Sequence, residues 1–344
     1  MRLRRLLAVV TAAAALLLAP AGTAGAAGAG THPERYLGLF RDEDPDAVPA
    51  SARSRYDVTP ASVMWFDSWA SGQAFPVDAA RALWRRGIMP HYTWEPWNTA
   101  LGPADPAQIH LADIVDGSWD AYITVRAREF AAVRAPILVR WGHEFNGNWY
   151  PWGIANNGAD PALYVRAYRH VHDLVERSGA RNVQWVWAFN NGSTPDEPYN
   201  DPAGAYPGDR YVDWVGIDGY NWGSGPSWDP AGDHWTSFDE TFAAAYAKAR
   251  AVAPHRPVML GEFASTEDGG DKARWIADMD ARLRAGEYPD LRLLTYFDVL
   301  KEEAWSPASS PAALDAFTTW VHRRYLTGRG HDLARVAGRY AARR

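Results

Sequence analysis

Short apolar runs with little polar alternation recur along the chain, and most are followed by a segment whose apolar positions fall at helical spacing. Residues 35–40, 62–66, 87–92, 136–139, 183–189, 211–217, 257–261 and 291–297 read as strands, and the fourth (Pro136-Ile137-Leu138-Val139) has the composition of a strand buried on both faces. Between them, residues 78–86, 117–135, 161–177, 241–252, 271–285 and 312–325 read as amphipathic helices. Trp119, Tyr122, Ile123, Ala127 and Phe130 mark one apolar face, and Asp160-Pro161 is a plausible N-cap and first helical position for the third helix. Eight strands alternating with helices, with no internal linker or repeat, predict an α/β chain folded as a single (β/α)8 TIM barrel.

In such a barrel the reacting groups lie at the C-terminal ends of the strands. That rim collects Glu95, His143, Glu144, Asp218, Tyr220 and Glu262, together with most of the tryptophans. The segment 140–153 (Arg-Trp-Gly-His-Glu-Phe-Asn-Gly-Asn-Trp-Tyr-Pro-Trp-Gly) is the centre of the pattern. It places a carboxylic acid where a buried strand ends, followed by a turn pair and the aromatic cluster Trp149, Tyr150 and Trp152. Flat aromatic faces beside an acid suit the apolar face of a sugar ring while the carboxyl acts on a glycosidic oxygen. The bland alternative makes the aromatics core and Glu144 the ion-pair partner of Arg140. A zinc-protease reading of His143-Glu144 fails because the second histidine would fall at Gly147. A serine-hydrolase reading fails because no Gly-x-Ser-x-Gly occurs.

Retaining glycoside hydrolysis needs two carboxyls about 5 to 5.5 Å apart, one to protonate the leaving oxygen and one to attack the anomeric carbon. Glu144 and Glu262 end strands four and seven, opposite each other across a barrel. Period-two alternation places Glu262 with Leu260 and Val258, and Glu144 with Gly142 and Arg140, so both acids converge if those faces point inward. Glu95, Asp218, Asp298 and Asp67 are rival rim acids, which more commonly orient hydroxyls or pair with arginines. Tyr220, at the end of strand six, can supply a phenol to a nucleophile on strand seven.

Composition narrows the picture further. A 344-residue chain with a formal net charge of −6 and no basic run in the folded part carries no electrostatic footprint for nucleic acid. Cysteine is absent, which excludes thiol chemistry and disulfides, while 18 Trp, 16 Tyr and 11 Phe suit a cleft for flat ligands. Residues 1–27 have the layout of a secretory signal: a basic start, an apolar stretch from Leu6 to Leu18, and small residues around Ala24-Gly25-Ala26. An exported, extracellular protein without stable membrane association is therefore expected, with residues 33–327 as the catalytic domain. Residues 328–344 are a basic tail, with five arginines after Gly328 against one aspartate, either frayed or forming a short terminal helix.

The segment 140–149 resembles the His-Glu-x-Asn-Gly-x-Trp signature of glycoside hydrolase family 26, and residues 257–263 (Pro-Val-Met-Leu-Gly-Glu-Phe) resemble its nucleophile strand. Residues 206–220 are similar to its loop and sixth strand. The family comprises retaining (β/α)8 enzymes, among them β-1,4-mannanases, mixed-linkage β-glucanases and β-1,3-xylanases. The resemblance implies that Glu144 is the acid/base and Glu262 the nucleophile. It also implies that His143 contacts the sugar beside the cleavage point, that Tyr220 holds the nucleophile and that Trp149 stacks on a substrate ring. Trp94, Glu95, Trp152, Trp187 and Trp222, on or beside the strand ends, complete the candidate substrate contacts. No metal or other cofactor is implied, the partner is a polysaccharide, and a monomer is expected. The leading substrate is β-1,4-mannan; a mixed-linkage glucan, or a barrel that binds carbohydrate without turnover, are the alternatives. Departures from the mannanase pattern, Trp141 for a proline and Thr93-Trp94-Glu95 for Ser-Trp-His, bear on substrate rather than on the catalytic pair.

Overall fold

The computed structural model describes residues 34–225, 234–326 and 328–342; the leader sequence lies outside them. Strands β1 (Tyr36–Phe40), β2 (Ser62–Ser68), β3 (Met89–Glu95), β4 (Ile137–Trp141), β5 (Val183–Asn190), β6 (Trp214–Asn221), β7 (Val258–Ser265) and β8 (Leu291–Phe297) form a closed parallel barrel in sequence order. Closure is made by β1 against β8, from Tyr36 beside Leu293 to Phe40 beside Phe297. Helices α1 (Val48–Tyr56), α2 (Val77–Arg85), α3 (Leu111–Val115), α4 (Asp120–Val133), α5 (Pro161–Arg177), α6 (Phe238–Val252), α7 (Lys272–Ala285) and α8 (Pro311–Val321) surround it. The (β/α)8 fold expected from the sequence is the fold observed.

Local chemistry sets the helix starts. Asp160 accepts from the Ala162 amide with Pro161 behind it in α5, and Ser237 and Glu240 form a reciprocal capping box on α6. Asp271 and Ser310 cap α7 and α8 in the same way. Helix α1 is not legible as an apolar stripe, because the face it buries consists of Val48, Pro49, Ala52 and Tyr56. Strand β6 runs on to Asn221, past the expected end at residue 217, and so carries Asp218 and Tyr220 within the ladder.

Strand alternation sorts the side chains into two layers. Outward residues such as Val63, Tyr92, Trp94, Val139, Trp141, Trp185, Trp187, Ile217 and Leu294 pack under the helices as one core. Inward residues at the N-terminal end of the barrel, Tyr36, Met89, Leu138, Val186, Trp214, Met259 and Leu293, form a second, smaller core. The C-terminal residues complete that second core rather than fraying. Helices α9 (Gly330–Leu333) and α10 (Val336–Ala341) bury Leu333, Val336 and Tyr340 against it. Gln184 donates to the Ala334 carbonyl at 2.6 Å and Tyr340 to Asp290 at 2.8 Å, so these helices floor the barrel.

Candidate active site

Above the apolar floor the barrel interior turns polar. Arg140, inward on β4 and fully buried, donates through Nε to Thr93 Oγ1 at 3.1 Å, through Nη1 to both oxygens of Asp218 at 2.8 Å, and through Nη2 to Glu262 Oε1 at 2.5 Å. Burial works against its charge, yet Asp218 and Glu262 outweigh that and raise its pKa. A buried guanidinium joined to two carboxylates is stable only because every group finds a partner. Arg140 therefore does not pair with Glu144, the bland alternative; its partners come from β6 and β7.

Glu262 reaches the mouth by a route that simple alternation does not give. Asp218 pairs with Glu262 and Ile217 with Leu260, so the β6–β7 ladder skips Gly261 in a bulge. Val258 and Leu260 face the helices with the outer core, whereas Glu262 faces the barrel axis. The expectation that Glu262 shares their face is corrected by that bulge. Gly261 is required there: a Cβ would lie 2.4 Å from Asp218 Oδ1 and 2.9 Å from Arg140 Nη1. Tyr220 donates its hydroxyl to Glu262 Oε2 at 2.5 Å, so a guanidinium and a phenol hold the two oxygens of this carboxylate.

Glu144 lies beyond the end of β4, where the chain leaves extended geometry: Gly142 has φ 54° and Glu144 itself φ 50°. A left-handed glutamate is strained and needs support from its surroundings. Its amide donates to Ala188 O of β5 at 3.0 Å, and its carboxyl accepts from Trp149 Nε1 at 2.7 Å and Asn190 Nδ2 at 3.0 Å. Burial and then the negative charge of Glu262 raise its pKa to about 7, against the two hydrogen bonds, which lower it. Two carboxyls thus sit at one mouth in unlike settings, one held by Arg140 and Tyr220 and one with its pKa raised to about 7.

His143 is fully buried next to them, its Nε2 3.9 Å from Glu262 Oε1, and burial followed by the field of Arg140 holds its pKa well below the usual value. Neither ring nitrogen has a hydrogen-bond partner among the described residues. Glu95, inward at the end of β3, is 7% exposed, and burial together with Glu262 raises its pKa to about 8 in spite of Arg140. The other rim acids pair with arginines: Asp298 with Arg41, and Asp67 with Arg126. His143, Asp218 and Glu262 offer ligand atoms within 4.8 Å of one another. The guanidinium of Arg140 already occupies both carboxylates, so a cation would have to compete with it.

The aromatics divide between cleft and core. Trp149 is 37% exposed at the mouth, and Trp222 packs edge-on against Trp305 at 4.8 Å beside Tyr220. Trp94 and Trp187 face away from the barrel axis and are fully buried. Trp94 donates to the Tyr122 hydroxyl of α4, and Trp187 stacks on Phe145. Trp152 is fully buried too, donating to the His143 carbonyl at 2.5 Å and stacking at 4.3 Å on Tyr150, which it backs. These three support the site from behind and do not face the cleft. Sequence reasoning missed Asn190 and Lys301. The inward series Gln184, Val186, Ala188, Asn190 on β5 points to Asn190. Lys301, on the loop after β8, acts on the pKa values of Glu95, His143 and Glu144 only through the tertiary fold.

Residues 111–258 match the model of Glycosyl hydrolase family 26. Endoglucanase H of Acetivibrio thermocellus is 37% identical over 259 residues, 73% of this chain and 26% of that protein. A mannan endo-1,4-beta-mannosidase of Thermothelomyces thermophilus is 38% identical over 106 residues, 30% of this chain and 19% of that protein. The chain thus spans about a quarter of the length of the first of these relatives and about a fifth of the second. Among solved structures, a Cellulomonas fimi endo-beta-1,4-mannanase double mutant superposes with a TM-score of 0.67 at 18% identity, covering 86% of this chain and 72% of that one, which shows the fold. With its barrel, its signature segment and these matches, the chain belongs to glycosyl hydrolase family 26.

Proposed function

We propose that this protein is a retaining endo-β-glycanase, exported by its N-terminal leader, that cleaves β-linked polysaccharide by double displacement. The observation that carries the reading is the pair of carboxyls with opposite environments at one barrel mouth. Glu262, held by Arg140 and Tyr220, suits a nucleophile; Glu144, with a pKa raised to about 7, suits a general acid. In the first step a Glu262 oxygen bonds to the anomeric carbon as the glycosidic C–O bond breaks, and the Glu144 proton passes to the departing oxygen. In the second, ionised Glu144 takes a proton from water, whose oxygen attacks the same carbon and releases Glu262. Neutral His143, with free ring nitrogens beside Glu262, suits a sugar hydroxyl.

Mannan is the leading substrate, supported by the several relatives and solved structures named as mannanases. A β-glucan is the second reading, favoured by one observation: the relative matched over 73% of this chain is named an endoglucanase, while the mannanase matches are shorter. Reducing-sugar release from galactomannan, barley β-glucan, β-1,3-xylan and carboxymethylcellulose separates them, with Glu144→Gln alongside. Release from galactomannan that vanishes in the variant supports the first reading, and release from barley β-glucan the second. No release from any of the four points to another glycan or to a carbohydrate-binding barrel.

A further inference from the structure

We propose that Asn190 is a positioning residue for the reaction, orienting the Glu144 carboxyl so that one of its oxygens is presented to the glycosidic bond. The proposal rests on the reading of Glu144 as acid/base. Asn190 ends β5, outside the signature segment, and its Nδ2 donates to Glu144 Oε1 at 3.0 Å while Trp149 Nε1 donates to Oε2 at 2.7 Å. Each carboxyl oxygen offers two acceptor directions, so the two donors fix the plane of the group and leave one direction on each oxygen for a proton.

The Asn190 amide cannot turn over to present its oxygen instead. Its Oδ1 accepts from the Gly192 amide at 3.1 Å, and a flip would set NH2 against N–H there and oxygen against carboxyl at Glu144. Its backbone is clamped from the loop that carries the acid: Asn146 Oδ1 accepts from the Asn190 amide at 2.8 Å, and Asn146 Nδ2 donates to the Asn190 carbonyl at 2.9 Å. Asn146 Nδ2 also reaches Gly192 O at 3.1 Å, and Glu144 N–H reaches Ala188 O at 3.0 Å. The β4 and β5 loops are thereby one unit, with donor and acid at fixed separation. Pre-set geometry of this kind is what lets a general acid meet its oxygen without reorganising.

Asn190 also opposes the groups that hold Glu144 neutral. Facing that carboxyl are Glu262 of β7, Asp218 and Tyr220 of β6, Arg140 of β4, Tyr150 of the β4 loop and Lys301 of the β8 loop. Loss of the Asn190 donor leaves burial and Glu262 less opposed, so Glu144 keeps its proton to higher pH.

The test compares kcat/KM of wild type, Asn190→Ala, Asn190→Asp and Glu144→Gln across pH. It uses the polysaccharide cleaved and a 2,4-dinitrophenyl β-glycoside of the same sugar, whose leaving group needs no acid. Expected for Asn190→Ala is a loss of roughly 10- to 100-fold on polysaccharide but within about threefold on the aryl glycoside. The basic limb of the profile should also move up in pH, and further for Asn190→Asp, which keeps the side-chain shape and adds a charge. Equal loss on both substrates, or a basic limb that stays in place, overturns the proposal. If Asn190→Ala does not fold, the limb of Asn190→Asp decides. Should Glu144→Gln retain wild-type polysaccharide activity, the acid/base reading falls and takes the proposal with it, whatever Asn190 does.

Discussion

A carboxyl kept protonated in the native state near neutral pH works against folding, and Glu144 and Glu95 are both of this kind. The ordinary glutamate pKa is about 4.3, so between there and about 7 an unfolded Glu144 is ionised while the folded one holds its proton. The native state then binds more protons, and stability from this group falls as pH rises through that window. Glu144→Gln and Glu95→Gln should each raise the thermal midpoint at pH 8 and leave it nearly unchanged at pH 4. The gain is on the order of 2 kcal/mol, and equal midpoints for wild type and variants at pH 8 would refute it. With Glu144 as the proposed general acid, the same proton sets an upper pH limit: kcat/KM should decline above about pH 7 as Glu144 ionises. Asp218 is as deeply buried, and burial with the charges of Glu262 and Glu144 pushes its pKa well above the usual carboxylate range, while Arg140, from which both its oxygens accept, opposes that.

At the level of elements, a strand bulge aims Glu262, whereas a loop aims Glu144. Gly147 shows why the signature contains a glycine: a Cβ there would fall 2.4 Å from two atoms of the Trp149 ring. The indole lies against the bare backbone and so reaches Glu144. Gly147→Ala should displace Trp149 and lower kcat/KM on polysaccharide by roughly tenfold or more, with the loss reaching kcat; a loss confined to KM would mean that the indole is a stacking platform only. Across the mouth, the loop after β8 is tied down by Lys272 at the start of α7. Its ammonium donates to Ala304 O at 2.5 Å, Ser306 O at 3.0 Å and Ser309 Oγ at 2.7 Å. Lys272→Met leaves three acceptors without that donor and should cost about 2–3 kcal/mol, read as a lower urea midpoint. Trp305, buried against Tyr220 and Trp222, belongs to the same loop and should loosen with it.

The barrel, and the placing of Glu144 and Glu262 at one end of it, were legible in the sequence because each rests on local pattern: apolar runs, caps and strand ends. What was not legible depends on partners far apart in the chain. Arg140 meets Asp218 and Glu262 only once β4, β6 and β7 close together, and the Gly261 bulge that turns Glu262 inward is a property of the β6–β7 ladder. Trp94 and Trp187 were misplaced for a simpler reason. Strand alternation that points Glu95 and Asn190 inward must point the neighbouring tryptophans outward.

The terminal helices show the same limit for the whole molecule, since a segment rich in arginine conceals the apolar positions Leu333, Val336 and Tyr340 that close the barrel floor. Burying such side chains stabilises by roughly 1.5–3 kcal/mol each. A chain ending at Leu326 should therefore melt about 10 °C lower or more. The floor lies at the end of the barrel opposite Glu144 and Glu262, and the apolar layer of Met89, Leu138 and Met259 separates the two. Hence kcat at 25 °C, per folded molecule, should stay near the full-length value. An unchanged melting temperature would show that α9 and α10 add nothing to stability. A truncated chain that melts normally but turns over slowly would mean that the floor helps to set the geometry of the mouth.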